Sequence, residues 1–155
     1  MRGQVSLEYL LIIGLALIVL ASITVAKMIN PTSEGAGDVM RVSQARSMCD
    51  AIADAINGVY GNAQGATRTV WVHLSGTWDL WITKNPPKLW LGIRISYGTE
   101  NVDDNLRYAF DNSLLNIPAG SYPVIVDWPT NGEDGITMVD NKIYIHINPP
   151  TGGEK

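Results

Sequence analysis

The first thirty residues constrain this chain more than any other stretch. Between Tyr9 and Met28 the only charged side chain is Lys27, and the others are mostly Leu, Ile, Val, Ala and small residues. About 20 residues at a rise of ~1.5 Å form a helix of about 30 Å, the thickness of the hydrocarbon core of a bilayer. A helix that is apolar on every side is stable only in lipid or in a bundle of similar helices. The sequence therefore predicts an apolar helix that ends at about Asn30.

Three interpretations of this N-terminus are open. An ordinary secretory signal peptide would use Arg2 as its positive region and residues 24–26 as its cleavage site, and the helix would be discarded. A permanent single-span anchor fits the length but leaves Glu8 unexplained, because a carboxylate at the edge of the apolar block costs several kcal/mol in lipid unless it finds water or a partner. A leader cut on the polar side of the helix would keep the helix in the mature protein and give Glu8 a role.

The residues before the apolar run form a distinctive string, namely Gly3, Gln4, Ser6, Glu8, Tyr9 and Leu10. This string resembles the class III signal peptide of archaeal type IV pilins, and the resemblance covers about the first 30 residues. It implies cleavage between Gly3 and Gln4 by a membrane prepilin peptidase, with Ser6, Tyr9 and Leu10 in the processing motif. Residues 1–3 would be the leader and residues 4–30 a transmembrane helix that becomes the filament core. The resemblance also implies a helical homo-oligomer, an assembly ATPase and a membrane platform.

Cleavage before Gln4 would create an ammonium group four residues from Glu8 and on the same helix face. A carboxylate among apolar helices is tolerated when it meets an ammonium of its own chain or of a neighbouring subunit. Such a pair would fix the axial register of a staggered bundle, as buried polar groups do in coiled coils. The alternative is that Glu8 only reaches the membrane interface.

The apolar pattern ends in residues that disfavour helix. Pro31 lacks a backbone donor and biases Asn30 away from helical geometry, while Gly35 and Gly37 loosen the segment after it. We therefore expect the helix to break near Pro31. Residues 31–37 would form a kink, a melted segment or a short hinge that decouples the core helix from the outer domain.

A second, amphipathic helix is predicted over residues 38–62, with Asp38 as its N-cap and Gly58 and Gly61 near its end. Its apolar residues recur at helical spacing, namely Val42, Ala45, Met48, Cys49, Ile52, Ile56 and Val59. Because they form one stripe, the helix should pack with one side on a sheet. Cys49 lies on this stripe, so we expect a small core residue rather than a reactive thiol.

From Thr67 the apolar period changes to two, which is typical of strands. The alternating aliphatic positions are Val70, Val72, Leu74, Leu80, Ile82, Leu89, Leu91, Ile93, Ile95, Val124, Val126, Ile143, Ile145 and Ile147. The pattern predicts a β-rich head over residues 67–150, an antiparallel meander whose aliphatic face packs on the second helix. Residues 101–116 are expected to be irregular or to contain a short helix, and residues 151–155 form a tail.

The other face of the predicted meander carries aromatic and charged side chains, namely Trp71, His73, Trp81, Trp90, Arg94, Tyr144 and His146. Several Trp on the outer face of a sheet would form an exposed apolar patch, a common mark of an interface. Trp71, Trp81, Trp90 and Arg94 are therefore candidate contacts for filament neighbours, since aromatic residues and Arg are typical interface anchors. A saccharide could stack there instead, or the late loops could fold over these rings.

Composition and motifs disfavour several other functions. With 11 basic against 15 acidic side chains and no Lys/Arg cluster, no nucleic-acid partner is expected. A single cysteine excludes an intramolecular disulfide, and the sequence contains neither a phosphate-binding loop nor a nucleophile elbow. We expect no enzyme activity, catalytic residue, metal or cofactor. The acidic loops at 100–105 and 127–134 contain oxygen ligands suited to Ca²⁺ but are more typical of solvated turns.

The sequence thus predicts an α+β, type IV pilin-like chain: a long apolar helix broken near Pro31, then an amphipathic helix packed on an antiparallel β-sheet domain. The expected function is that of a subunit of an archaeal type IV pilus, held in the membrane as a precursor and exposed on the cell surface as an adhesive filament. One alternative is a membrane-tethered extracellular β-domain that captures a sugar or solute. Another is a secreted enzyme accessory domain cut after Ala26.

Overall fold

The computed structural model describes the backbone of residues 4–150 and the side-chain surroundings of residues 8–24 and 35–150. By its internal contacts the chain divides into two compact units, Met1–Asp38 and Val39–Lys155.

Helix α1 spans Gln4–Asn62. The helix continues past Pro31, where a break was predicted, because residues 31–37 are themselves helical. One proline removes a single backbone hydrogen bond, at a cost of about 3 kcal/mol, and a helix with many hydrogen-bonded turns on both sides can continue past it. Asp38 consequently lies inside the helix, and its predicted role as an N-cap is wrong. The boundary between the two units falls directly after the predicted hinge, between Asp38 and Val39.

The apolar stripe predicted for the second part of α1 is confirmed. Its members are buried from Ala45 to Val59, and Val42 is half-buried against the same cluster. This stripe is therefore the helical contribution to the core of the second unit.

The strands described after α1 are β1 Thr67–Leu74, β2 Trp78–Thr83, β3 Lys88–Ile95, β4 Gly98–Asn105, β5 Leu115–Ile117, β6 Gly120–Asp127, β7 Gly135–Val139 and β8 Lys142–His146. They form two four-stranded sheets, sheet I with the order β1-β6-β8-β7 and sheet II with the order β4-β3-β2-β5. In sheet I, β1 and β6 are antiparallel, β6 and β8 parallel, and β8 and β7 antiparallel. Sheet II is antiparallel throughout.

The α+β class, with a helix packed on sheets that are antiparallel except for the pair β6 and β8, is therefore confirmed, but the single meander is wrong. Apolar alternation indicates which face a side chain takes and not which strand is its neighbour, so it could not separate two sheets. The prediction for residues 101–116 is correct only for residues 106–114, which are irregular, because residues 101–105 belong to β4 and residues 115–116 to β5. In β4 only Val102 is buried among polar residues, so the strand has no apolar alternation to detect.

A tight turn at Asp140 and Asn141 joins β7 to β8. Val139 pairs with Lys142, so the loop has two residues, and both have positive φ values of 50° and 59°. Positive φ at both positions is the geometry of a type I′ hairpin turn, which Asn and Asp tolerate better than most residues.

One cluster of buried side chains contains residues of α1 and of both sheets. Inward-facing residues of sheet I include Val72, Leu74, Val124, Val126, Ile143 and Ile145, and those of sheet II include Trp78, Leu80, Ile82, Leu89, Leu91, Ile93 and Val102. The alternate residues of the strands form two outer faces, and these faces are available for contacts with other molecules.

Candidate assembly surfaces

In the first unit, helix α1 exposes large apolar side chains from Tyr9 to Ile23. They are 50–72% exposed, namely Tyr9, Leu10, Leu11, Ile12, Ile13, Leu15, Leu17, Ile18, Val19, Leu20 and Ile23. Consecutive residues such as 9–13 point to all sides of a helix, so this apolar surface is continuous around it. A surface of this kind is unfavourable in water and needs a cover of lipid or protein.

The hydroxyl groups of Ser22 and Thr24, at the end of this segment, are satisfied by the helix itself. Ser22 Oγ donates to the carbonyl of Ile18 at 2.7 Å, and Thr24 Oγ1 donates to the carbonyl of Leu20 at 2.8 Å. Such bonds to the preceding turn let a hydroxyl enter an apolar environment without an unpaired donor. Within the part of the chain whose side chains are described, no helix combines the length and apolarity needed to cross a membrane.

The residues predicted to direct processing are described only in part. Gly3 and the side chains of Gln4 and Ser6 lie outside the described residues, so the pairing of Gln4 with Glu8 stays a prediction. Glu8, Tyr9 and Leu10 lie on α1 and are exposed.

The residues predicted to form the hinge are also described only in part. The side chains of Asn30 and Pro31 lie outside the described residues. Around Gly35 and Gly37 there is open space, with no atom within 4 Å of where a Cβ would stand. Neither glycine is therefore required by a close packing contact in the chain, and their role in a hinge stays a prediction.

In the second unit, the single aromatic face predicted from the sequence is divided between the two sheets. Trp71 belongs to β1 of sheet I, whereas Trp81, Trp90 and Arg94 belong to β2 and β3 of sheet II. The structure brings Trp81 and Trp90 together and places Trp71 apart from them. The prediction of one continuous patch is therefore wrong, for the same reason that the single meander is wrong.

On sheet II the two Trp rings contact one another. Trp81 and Trp90 are paired directly across β2 and β3, with ring centroids 5.9 Å apart and ring planes 2° from parallel. Trp90 Nε1 donates to Thr83 Oγ1 at 3.1 Å, and Lys88 Nζ, which is ion-paired with Asp103, lies 5.4 Å from the centroid of the Trp90 ring. Both rings are half-buried because these neighbours occupy their surfaces. Arg94 lies exposed on the same sheet.

The outer face of sheet I is different in chemistry. Trp71 of β1 is 73% exposed and pairs with Pro123 of the neighbouring strand β6. The middle of the face carries the uncharged residues Thr69, Trp71, Pro123, Ile125, Thr137 and Tyr144, and the exposed Lys142 of β8 lies between Pro123 and Val139 in the row of Trp71. Polar groups mark its ends, where His146 Nδ1 lies 2.6 Å from Asp127 Oδ1 and His73 Nδ1 lies 2.8 Å from Ser121 Oγ.

The acidic loop at 127–134 supports the fold through Asp134. Its Oδ2 accepts from the hydroxyl of Tyr108 at 2.6 Å, and its Oδ1 accepts from the backbone N–H of Asn148 at 2.6 Å. Burial, followed by the hydrogen bond to Asp134, raises the pKa of the Tyr108 hydroxyl above its ordinary value. The Tyr108 ring stacks on Tyr60 of α1 at 5.7 Å, and Tyr60 also stacks on Trp128 at 6.2 Å. Sequence reasoning missed this set because its members are far apart in the chain.

Cys49 is a core residue, as the helical stripe predicts. It is fully buried, and burial followed by the nearby charge of Asp104 raises the pKa of its thiol from 9.0 to about 12. Among the described residues, no group of three or more His, Cys, Asp or Glu side chains is arranged to hold a metal ion.

Comparison with known proteins bears on the N-terminal segment. Residues 2–25 match the family model described as "Class III signal peptide", a match that covers less than a fifth of the 155-residue chain. No curated protein and no solved structure matches the chain. The matched segment contains the predicted processing motif, and it supports a type IV pilin-like precursor or a related protein that is processed at the membrane and secreted or displayed at the surface.

Proposed function

We propose that this chain is the structural subunit of an archaeal type IV pilus, a surface filament that serves attachment. The observation that carries the proposal is the match to a class III signal peptide over residues 2–25, directly on a helix whose apolar side chains are exposed on every side. A signal of this class leaves the helix on the mature protein, and once the helix leaves the lipid, copies of itself can cover its apolar surface. The second unit has its own core, so it can remain folded while the helix changes its surroundings.

The mechanism is assembly rather than catalysis. The precursor would wait in the membrane, be trimmed between Gly3 and Gln4 by a prepilin peptidase, and pass its helix of residues 4–30 from lipid into a helical bundle. Lipid and bundle are similarly apolar, so the hydrophobic effect does not drive this transfer. Close packing of the helices, pairing of Glu8 with the new ammonium of Gln4 and an assembly ATPase on a membrane platform would supply it.

The residue at the mature N-terminus is the most direct test. Mass spectrometry of the protein from cells, together with electron microscopy of material sheared from the cell surface, should find a chain that begins at Gln4 within filaments. A mature chain that begins at Lys27 would instead mean an ordinary signal peptide and would end the proposal. A chain that begins at Gln4 or Met1 but occurs only as dispersed membrane monomers would favour a tethered binding protein.

A charge-removing variant tests the role of Glu8. Glu8→Gln keeps the size of the side chain and removes its charge, so we expect at least a tenfold loss of filaments on the cell surface with normal levels of processed subunit. Glu133→Gln, an exposed position on the head, is the matched control and should assemble normally. Filaments of normal number and helical register from Glu8→Gln would remove the proposed role of the carboxylate.

A further inference from the structure

The edges of the two sheets are protected to different degrees. Natural sheets block unwanted strand pairing with charged side chains or with very short edge strands. Sheet II uses both devices, because β4 carries Glu100, Asp103 and Asp104 and β5 has only 3 residues. In sheet I, β7 is uncharged over its 5 residues, and the one formally charged residue in the 8 residues of β1 is Arg68. Arg68 is turned toward α1, where its Nη1 donates to the carbonyl of Asp54 at 3.3 Å.

Each edge strand of sheet I also exposes one large apolar side chain. Trp71 on β1 is 73% exposed and Val139 on β7 is 54% exposed. The pairing register places both on the outer face of the sheet, in line with Thr69 and Thr137 respectively. The two edges therefore offer unpaired backbone groups together with apolar side chains on the same face.

The topology of sheet I gives its two edge strands the same direction. β1 runs antiparallel to β6, β8 runs parallel to β6, and β7 runs antiparallel to β8. β7 and β1 therefore run parallel to each other at opposite ends of the sheet. If one copy is placed beside another in the same orientation, β7 of the first can pair with β1 of the second as a parallel strand. Such a contact is heterologous and leaves a free edge at each end, so it can be repeated without closing.

The rows of residues across the sheet set the register of this contact. One row runs Thr67, Asp127, His146, Gly135, and the next row on the same face runs Thr69, Ile125, Tyr144, Thr137. If these rows continue into the next copy, every residue of β7 meets one of the first five residues of β1. The outward pairs are then Gly135 with Thr67, Thr137 with Thr69, and Val139 with Trp71.

We propose that sheet I is a self-association surface, in which β7 of one copy joins β1 of the next copy as a parallel strand. The pairing satisfies backbone donors and acceptors at both edges and covers Trp71 with Val139. Because each strand step in a sheet turns by about 20–25°, the continued sheet winds helically. The inference rests on the proposed function, since a filament core would hold neighbouring heads close together and so raise their effective concentration.

Engineered cysteines test this contact directly. Thr69→Cys and Thr137→Cys would lie on adjacent strands of neighbouring copies, about 5 Å apart between Cα atoms, which a disulfide can bridge. Within one copy β6 and β8 separate them by about 14 Å, which a disulfide cannot bridge. The native Cys49 is fully buried and does not interfere. Filaments of the double variant, oxidised and run on a non-reducing gel, should give a ladder of dimers, trimers and larger species.

Matched variants separate this contact from its alternatives. Each single variant should stay monomeric, a mixture of the two single variants should stop at dimers, and Thr99→Cys with Asn116→Cys on the edges of sheet II should give no ladder. Filaments whose double variant stays monomeric would overturn the proposal, as would dimers from Thr69→Cys alone, which indicate two β1 strands facing each other. If the double variant does not assemble into filaments, the mixture of the two single variants tests the contact instead. Dimers in this mixture would support the contact, and their absence would overturn it.

The same oxidation of the full chain in detergent distinguishes this inference from the proposed function. A ladder in detergent from cells that make no filaments would support the sheet contact while the proposed function fails. Monomers in both preparations would overturn the contact.

Discussion

Sheets I and II are built from similar strands, but their outer faces differ. Both carry Trp at positions that alternate with buried aliphatic residues. On sheet II, Trp90 stands opposite Trp81, so each ring is covered by the other, and charged residues surround the pair. On sheet I, Trp71 stands opposite Pro123, whose small ring leaves the indole 73% exposed. The identity of the cross-strand partner therefore decides whether the ring of an outward Trp is covered within its own chain or stays exposed to contact with another molecule.

The largest expected effect tests whether the difference between the sheets is confined to their outer faces. Ile145→Ala in sheet I and Leu91→Ala in sheet II both truncate fully buried side chains of the same core cluster. Each should lower the free energy of unfolding by about 2–5 kcal/mol, because each leaves a cavity in addition to lost apolar burial. Chemical denaturation of the full chain in detergent, followed by Trp fluorescence, measures both. A separate early transition in only one variant would mean that the sheets do not share one cooperative core.

The second prediction concerns the attachment of α1 to sheet II. Cys49 lies against β3, with its Sγ 3.8 Å from the carbonyl of Leu89, and burial raises the pKa of the thiol from 9.0 to about 12. Below pH 9 the thiol is protonated in both states, so its contribution to stability is fully present. Between these pKa values the unfolded chain loses the proton and the folded chain keeps it, so the free energy of unfolding falls by up to about 1.4 kcal/mol per pH unit.

The control for this pH effect is Cys49→Ala, which lacks the titrating group. Denaturation curves between pH 8 and pH 11 should show that the stability advantage of the natural chain over the variant shrinks as the pH rises. Parallel pH profiles for the two proteins would contradict the role assigned to burial of the thiol.

The outer faces themselves give the third prediction. Trp90→Ala removes a ring stack and the hydrogen bond to Thr83, so we expect a loss of about 1–3 kcal/mol in the free energy of unfolding. Trp71→Ala removes an exposed ring and should change it by no more than about 0.5 kcal/mol. Equal losses from the two substitutions would show that Trp71 is covered within its own chain, and the contrast between the faces would not hold.

These contrasts mark how far the sequence could be interpreted. The spacing from Ala45 to Val59 predicted the buried stripe, and alternation predicted β1, β2, β3, β6 and β8, because burial on one face leaves a periodic trace. β4 left no such trace, since Val102 is its only buried residue, and β7 is too short for alternation to stand out. The division of the strands between two sheets could not be predicted for a different reason. The pairing partner of a strand depends on residues far away in the chain.

The candidate surfaces show the same division. The processing motif could be recognised from the sequence because its residues are close together in the chain, and the family match covers it. The edge strands of sheet I could not be found from sequence, because an edge exists only once the strand order is known. Asp134 was noted as part of an acidic loop, but its partners Tyr108 and Asn148 are 26 and 14 residues away in the chain.

The smallest expected effect tests the hairpin that presents β7 at the edge of sheet I. Asn141 adopts a φ of 59° in the second position of the two-residue turn, where glycine has no steric cost and alanine has one. Asn141→Gly should therefore raise the free energy of unfolding by about 0.5 kcal/mol, while Asn141→Ala should lower it by about 1 kcal/mol. Because the turn sets the register of β7 against β8, these variants adjust the stability of the edge strand without changing its outward side chains. If β7 pairs with β1 of the next copy, filaments of Asn141→Ala should also break more readily under shear than those of Asn141→Gly. Equal fragility of the two kinds of filament would show that the stability of the hairpin does not affect the contact between copies.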